Sequence, residues 1–512
     1  DPERRLGSLA LRDEALSASS PLGRIGPDGA GHVVDPRTGE PAACPAAWAV
    51  ARSAADADAL STAFVVLGPG ARVPGGCGAM WLDRELACVG VAPVLAPEPR
   101  EGTTRRDFLK GAAAAATAFG VGLGAGPVRA QDPRASREVK VALVGAGEQG
   151  SLLLEQMARM EGITVAAVCD VRDEALAEAV KIAGRDVETY KDFAYLLDEE
   201  EIDALVCATP THLHAAVAVA ALERKLHVYV EAPLARTVDD CRAIARAAAA
   251  SGRACQVGHL RRTSKLYPHA LSHVGSGAVG KVLQLRARWN RKVSWRRPGD
   301  LDRARDWRLF RESSGGLPLE IGAHVFDLAN WFLGAVPEAV SGFGGILKWT
   351  DGREQTDSVQ VLLRYPGGAQ VNFEASLVNS YGGERETVVG DAAAILLLDQ
   401  RKGLLFKEAD TVAAGWEQYA KTEMLGGARG ILLDAEATKY VKHAEGEEIG
   451  PDGGKADAHA ALEAFFRQVR NRREKNPCDA VAGLRAAVTG IVAAEAVAKG
   501  EAVRFTKEHF EL

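Results

Sequence analysis

Gly145-Ala146-Gly147-Glu148-Gln149-Gly150 follows a continuous apolar run, Lys140–Val144, and precedes an amphipathic segment carrying Leu153, Leu154 and Met157. Glycines at this spacing allow a tight turn. They also let a diphosphate approach the first turn of a helix, where free N–H groups and the helix dipole favour anions. A second strand-like run, Val165–Cys169, ends in Asp170, 20 residues past Gly150. At that distance an acidic side chain reaches a ribose 2′-hydroxyl. The glycine pattern alone is weak. With a strand before it, a helix after it and an acid closing the next strand, it reads as a dinucleotide-binding unit. Asp170 repels a 2′-phosphate, which favours NAD over NADP. Arg172, close by, keeps NADP open.

Further along, Gly315–Asp327 contains Glu320 and His324, four residues apart and on one face if the segment is helical. A carboxylate that orients an imidazole makes a general base tuned near neutral pH. Read alone, a single histidine beside an apolar helix is more often structural. Near the start, Asp58 and Thr62 are also four apart. Such a pair of oxygens, with a carbonyl and waters, suits Mg²⁺, although spacing of this kind far more often marks an ordinary exposed Asp and Thr. A basic stretch, Arg286, Arg288, Arg291, Lys292, Trp295, Arg296 and Arg297, reads as a solvated strand face and loop. The other reading is a wall for an anionic or sugar substrate, with Trp289 or Trp295 against the ring.

The elements that must position these groups are legible in outline. Strand-like runs at Asp203–Ala208, His227–Glu231 and Ala254–Val257 alternate with helical runs at Thr211–Leu222 and Val238–Ala250. Regular β/α alternation means a doubly wound parallel sheet, with ligands at the C-terminal ends of its strands. Thr209-Pro210-Thr211-His212-Leu213-His214, Glu231-Ala232-Pro233 and Gly258-His259-Leu260-Arg261-Arg262 fall at those ends. After Arg262 the period becomes two. Leu283, Leu285, Ala287 and Trp289 alternate with polar residues, and Val359–Tyr365 and Ala369–Leu377 flank Pro366-Gly367-Gly368, a hairpin signal. This predicts an α+β second domain, an open sheet covered on one side. Two late helical patterns, around Leu462–Val469 and Leu484–Val492, are expected to return to the first domain.

Composition narrows the class. The chain has 512 residues, 47% hydrophobic and 25% charged, with a net charge of −6. These values exclude a disordered chain, a collagen-like repeat and a polytopic membrane protein, and no global positive field recruits nucleic acid. Eight cysteines without a CxxC pair give no zinc knuckle and no thioredoxin-type site. Residues 1–100 are rich in Gly, Pro and Ala. Residues 103–131 form a separate unit: Arg105-Arg106 with Phe108-Leu109-Lys110, a short apolar run and a small-residue exit. That is the form of an export signal. The chain starts at Asp1, and a signal here is expected to mark two joined coding units, with the working enzyme starting near Gln131.

Three resemblances follow from these residues. The twin-arginine segment resembles a Tat signal, which implies the Tat export machinery as partner and a periplasmic or exported passenger. His32-Val33-Val34-Asp35-Pro36-Arg37-Thr38-Gly39 and Asp58-Ala59-Leu60-Ser61-Thr62 resemble the C-terminal part of ApbE-type FAD:protein FMN transferases over roughly residues 20–70. The likeness places His32 and Asp35 at a flavin site and gives Mg²⁺ to Asp58 and Thr62. The N-terminal half of that family is absent, so this piece is expected to be inactive alone. From about Val139 to Arg504 the chain resembles the Gfo/Idh/MocA oxidoreductases, which pair a Rossmann domain (137–260 here) with an open-sheet domain (261–512). That likeness implies NAD(P) chemistry on a sugar, cyclitol or polyol. By position, Gly145, Gly147, Gln149, Gly150, Asp170, Thr209, Pro210, His214 and Glu231 would line the dinucleotide, His324 would be the acid/base and Glu320 its orienting partner. A homo-oligomer is implied, since sheets of this family often pair.

Two departures stand out. The family lysine that hydrogen-bonds the reacting oxygen is Ala232 here, and the family aspartate four residues before the histidine is Glu320. Redox-assisted glycoside cleavage with bound NAD and a non-catalytic sugar-binding role therefore stay open beside hydride transfer. Flavin transfer stays open for the N-terminal part.

Overall fold

The computed structural model describes residues 138–184, 187–411, 417, 420–433 and 453–512, together with four strands between residues 15 and 91. The chain divides into two compact units, Asp1–Ala130 and Gln131–Leu512. In the first, β1 (Ala15–Ser19), β2 (Ala46–Ala51), β3 (Gly78–Leu82) and β4 (Cys88–Val91) form an antiparallel sheet in sequence order. His32, Asp35, Asp58, Thr62 and the signal-like segment all lie outside the described residues.

The second unit opens with β5 (Val139–Val144), in which only Lys140 is exposed. A strand so apolar must be covered on both faces, which is the setting of a central strand in a parallel sheet. It pairs in parallel with β6 (Ile163–Cys169) and β8 (Ala204–Cys207). The sheet is completed by β7 (Glu188–Tyr190), β9 (His227–Val230) and β10 (Cys255–Val257), in the order β10-β9-β8-β5-β6-β7. Between strands run α1 (Glu148–Met157), α2 (Asp173–Ala183), α3 (Phe193–Glu199), α4 (His214–Glu223) and α5 (Val238–Ser251). Leu153, Leu154 and Met157 of α1 are fully buried against this sheet. Each such side chain contributes about 1.5–3 kcal/mol. Thr237 caps α5 by accepting from Asp240 N, and Gly252 ends it in the left-handed region.

After α6 (Leu266–Gly275) the chain enters a ten-stranded sheet: β11 (Val282–Asn290), β12 (Ala339–Gly345), β13 (Ser358–Arg364), β14 (Gln370–Ser376), β15 (Glu384–Gly390), β16 (Ala393–Leu398), β17 (Lys402–Lys407), β18 (Thr422–Leu425), β19 (Ala428–Leu433) and β20 (Val503–Arg504). Central β11 runs antiparallel to β15 and parallel to β14. The β13–β14 hairpin turns through Gly367 and Gly368, both at positive φ, as the Pro-Gly-Gly signal requires. On one face Leu285, Ala287, Val361, Val371 and Phe373 are buried. Covering them are α7 (Gly316–Glu320) and α8 (Gly322–Leu333), with Phe326 edge-on to Phe373 at 5.5 Å. The alternation fails at one expected core position. Leu283 is 41% exposed, because the register with β15 shifts between Val282 and Gln284.

The last two helices return to the Rossmann side. In α9 (Gly453–Arg470), Leu462, Phe465 and Phe466 join the core under α1, with Phe465 edge-on to Tyr229. The other, α10 (Ala480–Lys499), is capped by Asp479 and packs on α5, α8 and β12. At Gly483 a Cβ would sit 2.5 Å from Val257, so glycine permits this approach of helix to strand end. One hydrophobic cluster runs from Val144 and Val257 through Phe373 to Ala493. The described residues of the second unit therefore fold around a core shared by both sheets.

Candidate active site

β5 delivers the chain into Gly145, whose φ of +94° excludes most side chains. A Cβ here would meet the Ala208–Thr209 backbone at 2.6 Å, and one at Gly150 would meet Gly145 O at 1.9 Å. Both glycines exist so that strand, turn and helix can touch. Gly147 is different. Its backbone is extended (φ −70°, ψ −167°), and the nearest atom to an added Cβ is Arg172 Nη2 at 4.0 Å. Open space therefore faces Gly147, at the start of α1, where no side chain caps the helix. This is a cradle for an anion, with the dipole end of α1 behind it.

Asp170 shapes the cradle from the end of β6. Its Oδ2 accepts from Ala146 N and its Oδ1 from Arg172 N, both at 2.9 Å. Arg172 Nε lies 3.4 Å from the same carboxylate. A carboxylate has about four acceptor positions, so lone pairs are left for a ribose diol. These residues fit a dinucleotide: the space lies before Gly147 and the acid stands at its rim.

The neighbouring strand ends close the wall. Thr209 and Pro210 leave β8, and Thr209 N lies against Gly145. Glu231 ends β9. Its Oε1 accepts from Gln149 Nε2 at 3.0 Å and Tyr229 Oη at 3.4 Å, and its Oε2 from Ala232 N at 3.2 Å. Burial pushes this carboxyl up to about 7. The Gln149–Glu231 bond ties the glycine turn to the end of β9. The Ala232–Pro233 peptide that follows is cis. His214, expected to line the dinucleotide, is a strut instead. It is buried, with Nε2 2.9 Å from Thr209 O and Nδ1 3.0 Å from Pro233 O. The ring sits between two strand ends, and the single N–H of a neutral imidazole donates to one of these two carbonyls.

The expected Glu320–His324 pair is also corrected. α7 ends at Glu320 and α8 begins at Gly322, with Ile321 between them outside either helix. His324 N bonds back to Ile321 O, three residues before it, so the four-residue helical spacing does not hold across this point. Glu320 points to other partners: its Oε2 accepts from Thr211 Oγ1 at 3.0 Å and its Oε1 from Ser314 Oγ at 2.9 Å. Burial raises its pKa, while Arg308 and these donors pull it back. The ring of His324 meets the ring of His259 edge-on, 5.2 Å between centroids. Burial, then the fields of His259 and Arg261, hold the His324 pKa well below its ordinary value. A neutral, half-buried imidazole at neutral pH can accept a proton from a bound hydroxyl.

Two site residues carry signals too faint to weigh in sequence. Arg308 stacks on Trp307 at 4.3 Å and takes no hydrogen bond or ion pair among the described residues. It lies in the fields of Glu320 and Glu148, on the side of the cradle where α1 begins. His259, within a strand-end motif, is fully enclosed, and burial pushes its pKa down to about 4. Several arginines of the basic stretch have protein partners. Arg288 pairs with Glu374, Arg291 covers Trp289 and Arg297 reaches Glu148 at 3.8 Å. Trp289 and Trp295 stand 6.2 Å apart.

Comparison with known proteins finds relatives of the same fold. Residues 139–259 match the oxidoreductase family with an NAD-binding Rossmann fold, and residues 268–396 match the GFO/IDH/MocA C-terminal domain. Residues 1–73 match the ApbE family, so that likeness reaches back to the first residue and stops short of residue 100. The scyllo-inositol 2-dehydrogenase (NAD(+)) of Bacillus subtilis (strain 168) is 26% identical over 265 residues, covering 51% of this chain and 74% of that protein. An inositol 2-dehydrogenase of Acidothermus cellulolyticus is 27% identical over 332 residues, covering 64% and 90%. A levoglucosan dehydrogenase in complex with NADH superposes with a TM-score of 0.60 at 21% identity, covering 72% of this chain and 99% of that one, a likeness of fold.

Proposed function

We propose, from the match of residues 139–259 and 268–396 to the Gfo/Idh/MocA oxidoreductase models, that Gln131–Leu512 is an NAD-dependent oxidoreductase acting on a hydroxyl of a sugar or cyclitol. The observation that carries this reading is the open cradle before Gly147, rimmed by Asp170 and backed by α1. Bound NAD would supply the hydride acceptor, and that chemistry belongs to the cofactor. Gly145, Gly147 and Gly150 with the first turn of α1 would hold the diphosphate. Asp170 would take the adenosine ribose and disfavour a 2′-phosphate, with Arg172 beside it. Thr209, Pro210 and Glu231 would wall the nicotinamide side. The uncommitted charge of Arg308 favours anionic ligand groups at the same edge.

His324 is the proposed general base. Its suppressed pKa keeps the imidazole unprotonated and free to accept the hydroxyl proton as the substrate carbon is oxidised, while making it a weaker base than an ordinary histidine. Glu320 positions the segment on which His324 rides, through Thr211 and Ser314. Ala232 offers no donor where relatives of this family carry lysine, so proton transfer rests on the imidazole. A turnover panel of cyclitols, aldoses and anhydro sugars with NAD tests the reading. Substrate-dependent NADH formation, lost on His324→Asn, supports it. A second reading, transient oxidation that assists glycoside cleavage, is favoured by Ala232. It predicts release of free sugar without net NADH.

Export through the Tat route is part of the same proposal. It rests on the twin-arginine segment, and the intact mass of the periplasmic protein tests it.

A further inference from the structure

Three ligand-type side chains from three separate segments converge beside His324. An imidazole nitrogen of His259, a carboxylate oxygen of Asp327 and the thiol sulfur of Cys478 lie within 4.8 Å of one another. His259 leaves the end of β10, Asp327 sits in α8, and Cys478 immediately precedes the cap of α10. All three are at least 97% buried.

His259 is the informative member. Neither ring nitrogen has a hydrogen-bond partner. A buried polar atom left unpaired costs about 1–3 kcal/mol, so an apolar ring would suit this position better if packing were its purpose. The other two groups are held ready. Arg262 grips Asp327 with Nε at 2.8 and 3.1 Å and Nη2 at 2.8 Å. Its Nη1 donates to Pro477 O, next to Cys478, at 3.1 Å. The backbone of Cys478 is fixed on both sides, its O accepting from Val257 N and its N donating to Asn476 Oδ1. A carboxylate clamped by an outer partner and a ligand backbone tied to a strand are the supports that orient metal ligands.

We propose that His259, Asp327 and Cys478 bind one divalent transition ion of the zinc class. Nitrogen, oxygen and sulfur together select such an ion, whereas Mg²⁺ and Ca²⁺ take oxygen ligands. On binding, Cys478 loses its thiol proton to solvent, and thiolate plus carboxylate balance the two charges of the ion. Arg262 is paired first with Asp327, and Cys478 and then Asp479 act on it with weaker fields. The ion would lock the end of β10 to α8 and to the entrance of α10. It would also fix the His259 ring against His324. The inference needs no catalytic reading, so it stands or falls separately from the proposed activity.

The test uses the full chain, stripped with chelator and titrated with Co²⁺. One equivalent should bind, with the near-ultraviolet charge-transfer band of a cobalt–thiolate bond, and Zn²⁺ should displace it. Cys478→Ser should abolish the band and His259→Phe should abolish stoichiometric binding, with unchanged far-ultraviolet circular dichroism. Absence of saturable binding in the unaltered chain overturns the proposal, and so does a band that survives Cys478→Ser. If either variant fails to fold, the titration of the unaltered chain decides by itself.

Discussion

Thr211 donates its hydroxyl to Glu320 at 3.0 Å, joining the end of β8 to the end of α7 across 109 residues of chain. Both side chains are buried, and the second oxygen of Glu320 is held by Ser314. The segment bearing His324 is therefore registered against the Rossmann strand ends by a carboxylate, not left to side-chain packing. Thr211→Val keeps the shape and removes the donor. It should cost about 1–3 kcal/mol of stability, read by denaturant unfolding, and lower kcat while leaving NADH affinity unchanged. Equal loss of both would assign Thr211 to the cofactor instead.

His324→Asn should lower kcat by roughly 10²–10⁴-fold with NADH affinity retained. Wild-type turnover by that variant, in steady-state assays with an accepted substrate, would remove His324 from the chemistry.

Ala232→Lys restores a donor beside Glu231. In hydride transfer it should raise the dehydrogenase rate, by up to about 100-fold. If redox-assisted cleavage is the native reaction, the added lysine changes NADH yield little and sugar release falls.

Glu231 makes stability depend on pH in an unusual direction. Its folded pKa is raised to about 7 by burial. Below the ordinary carboxylate range it is protonated in both states. Above that range the unfolded carboxyl ionises while the folded one keeps its proton, so stability falls with rising pH until about 7 and is constant beyond. Glu231→Gln should flatten that part of the curve, in thermal melts between pH 4.5 and 8. The shift limits the effect to at most about 3 kcal/mol. An unchanged slope would show that Glu231 titrates normally.

Much of this architecture is legible in the order of residues. The apolar run Lys140–Val144, bounded by the glycine turn, reads as a buried strand, and Gly145, Gly150 and Asp170 lie where the motif requires. The failures share a cause: local spacing cannot report a break in regular geometry. Glu320 and His324 look paired until Ile321 interrupts the helix. Leu283 looks buried until the register shifts. His214 looks like a ligand contact until its ring is found buried between Thr209 O and Pro233 O. The convergence of His259 with Cys478 is tertiary, and no motif could carry it.

The glycine turn is tested most directly at Gly147. Its φ and ψ admit a side chain, and the space before it is otherwise open, so Gly147→Val should fold normally and fill the cradle. NADH fluorescence titration of both proteins is the measurement. Saturable one-to-one binding by the parent chain, lost in a variant with an unchanged melting temperature, is the predicted result. No saturation in the parent, or equal affinity in the variant, would contradict the account.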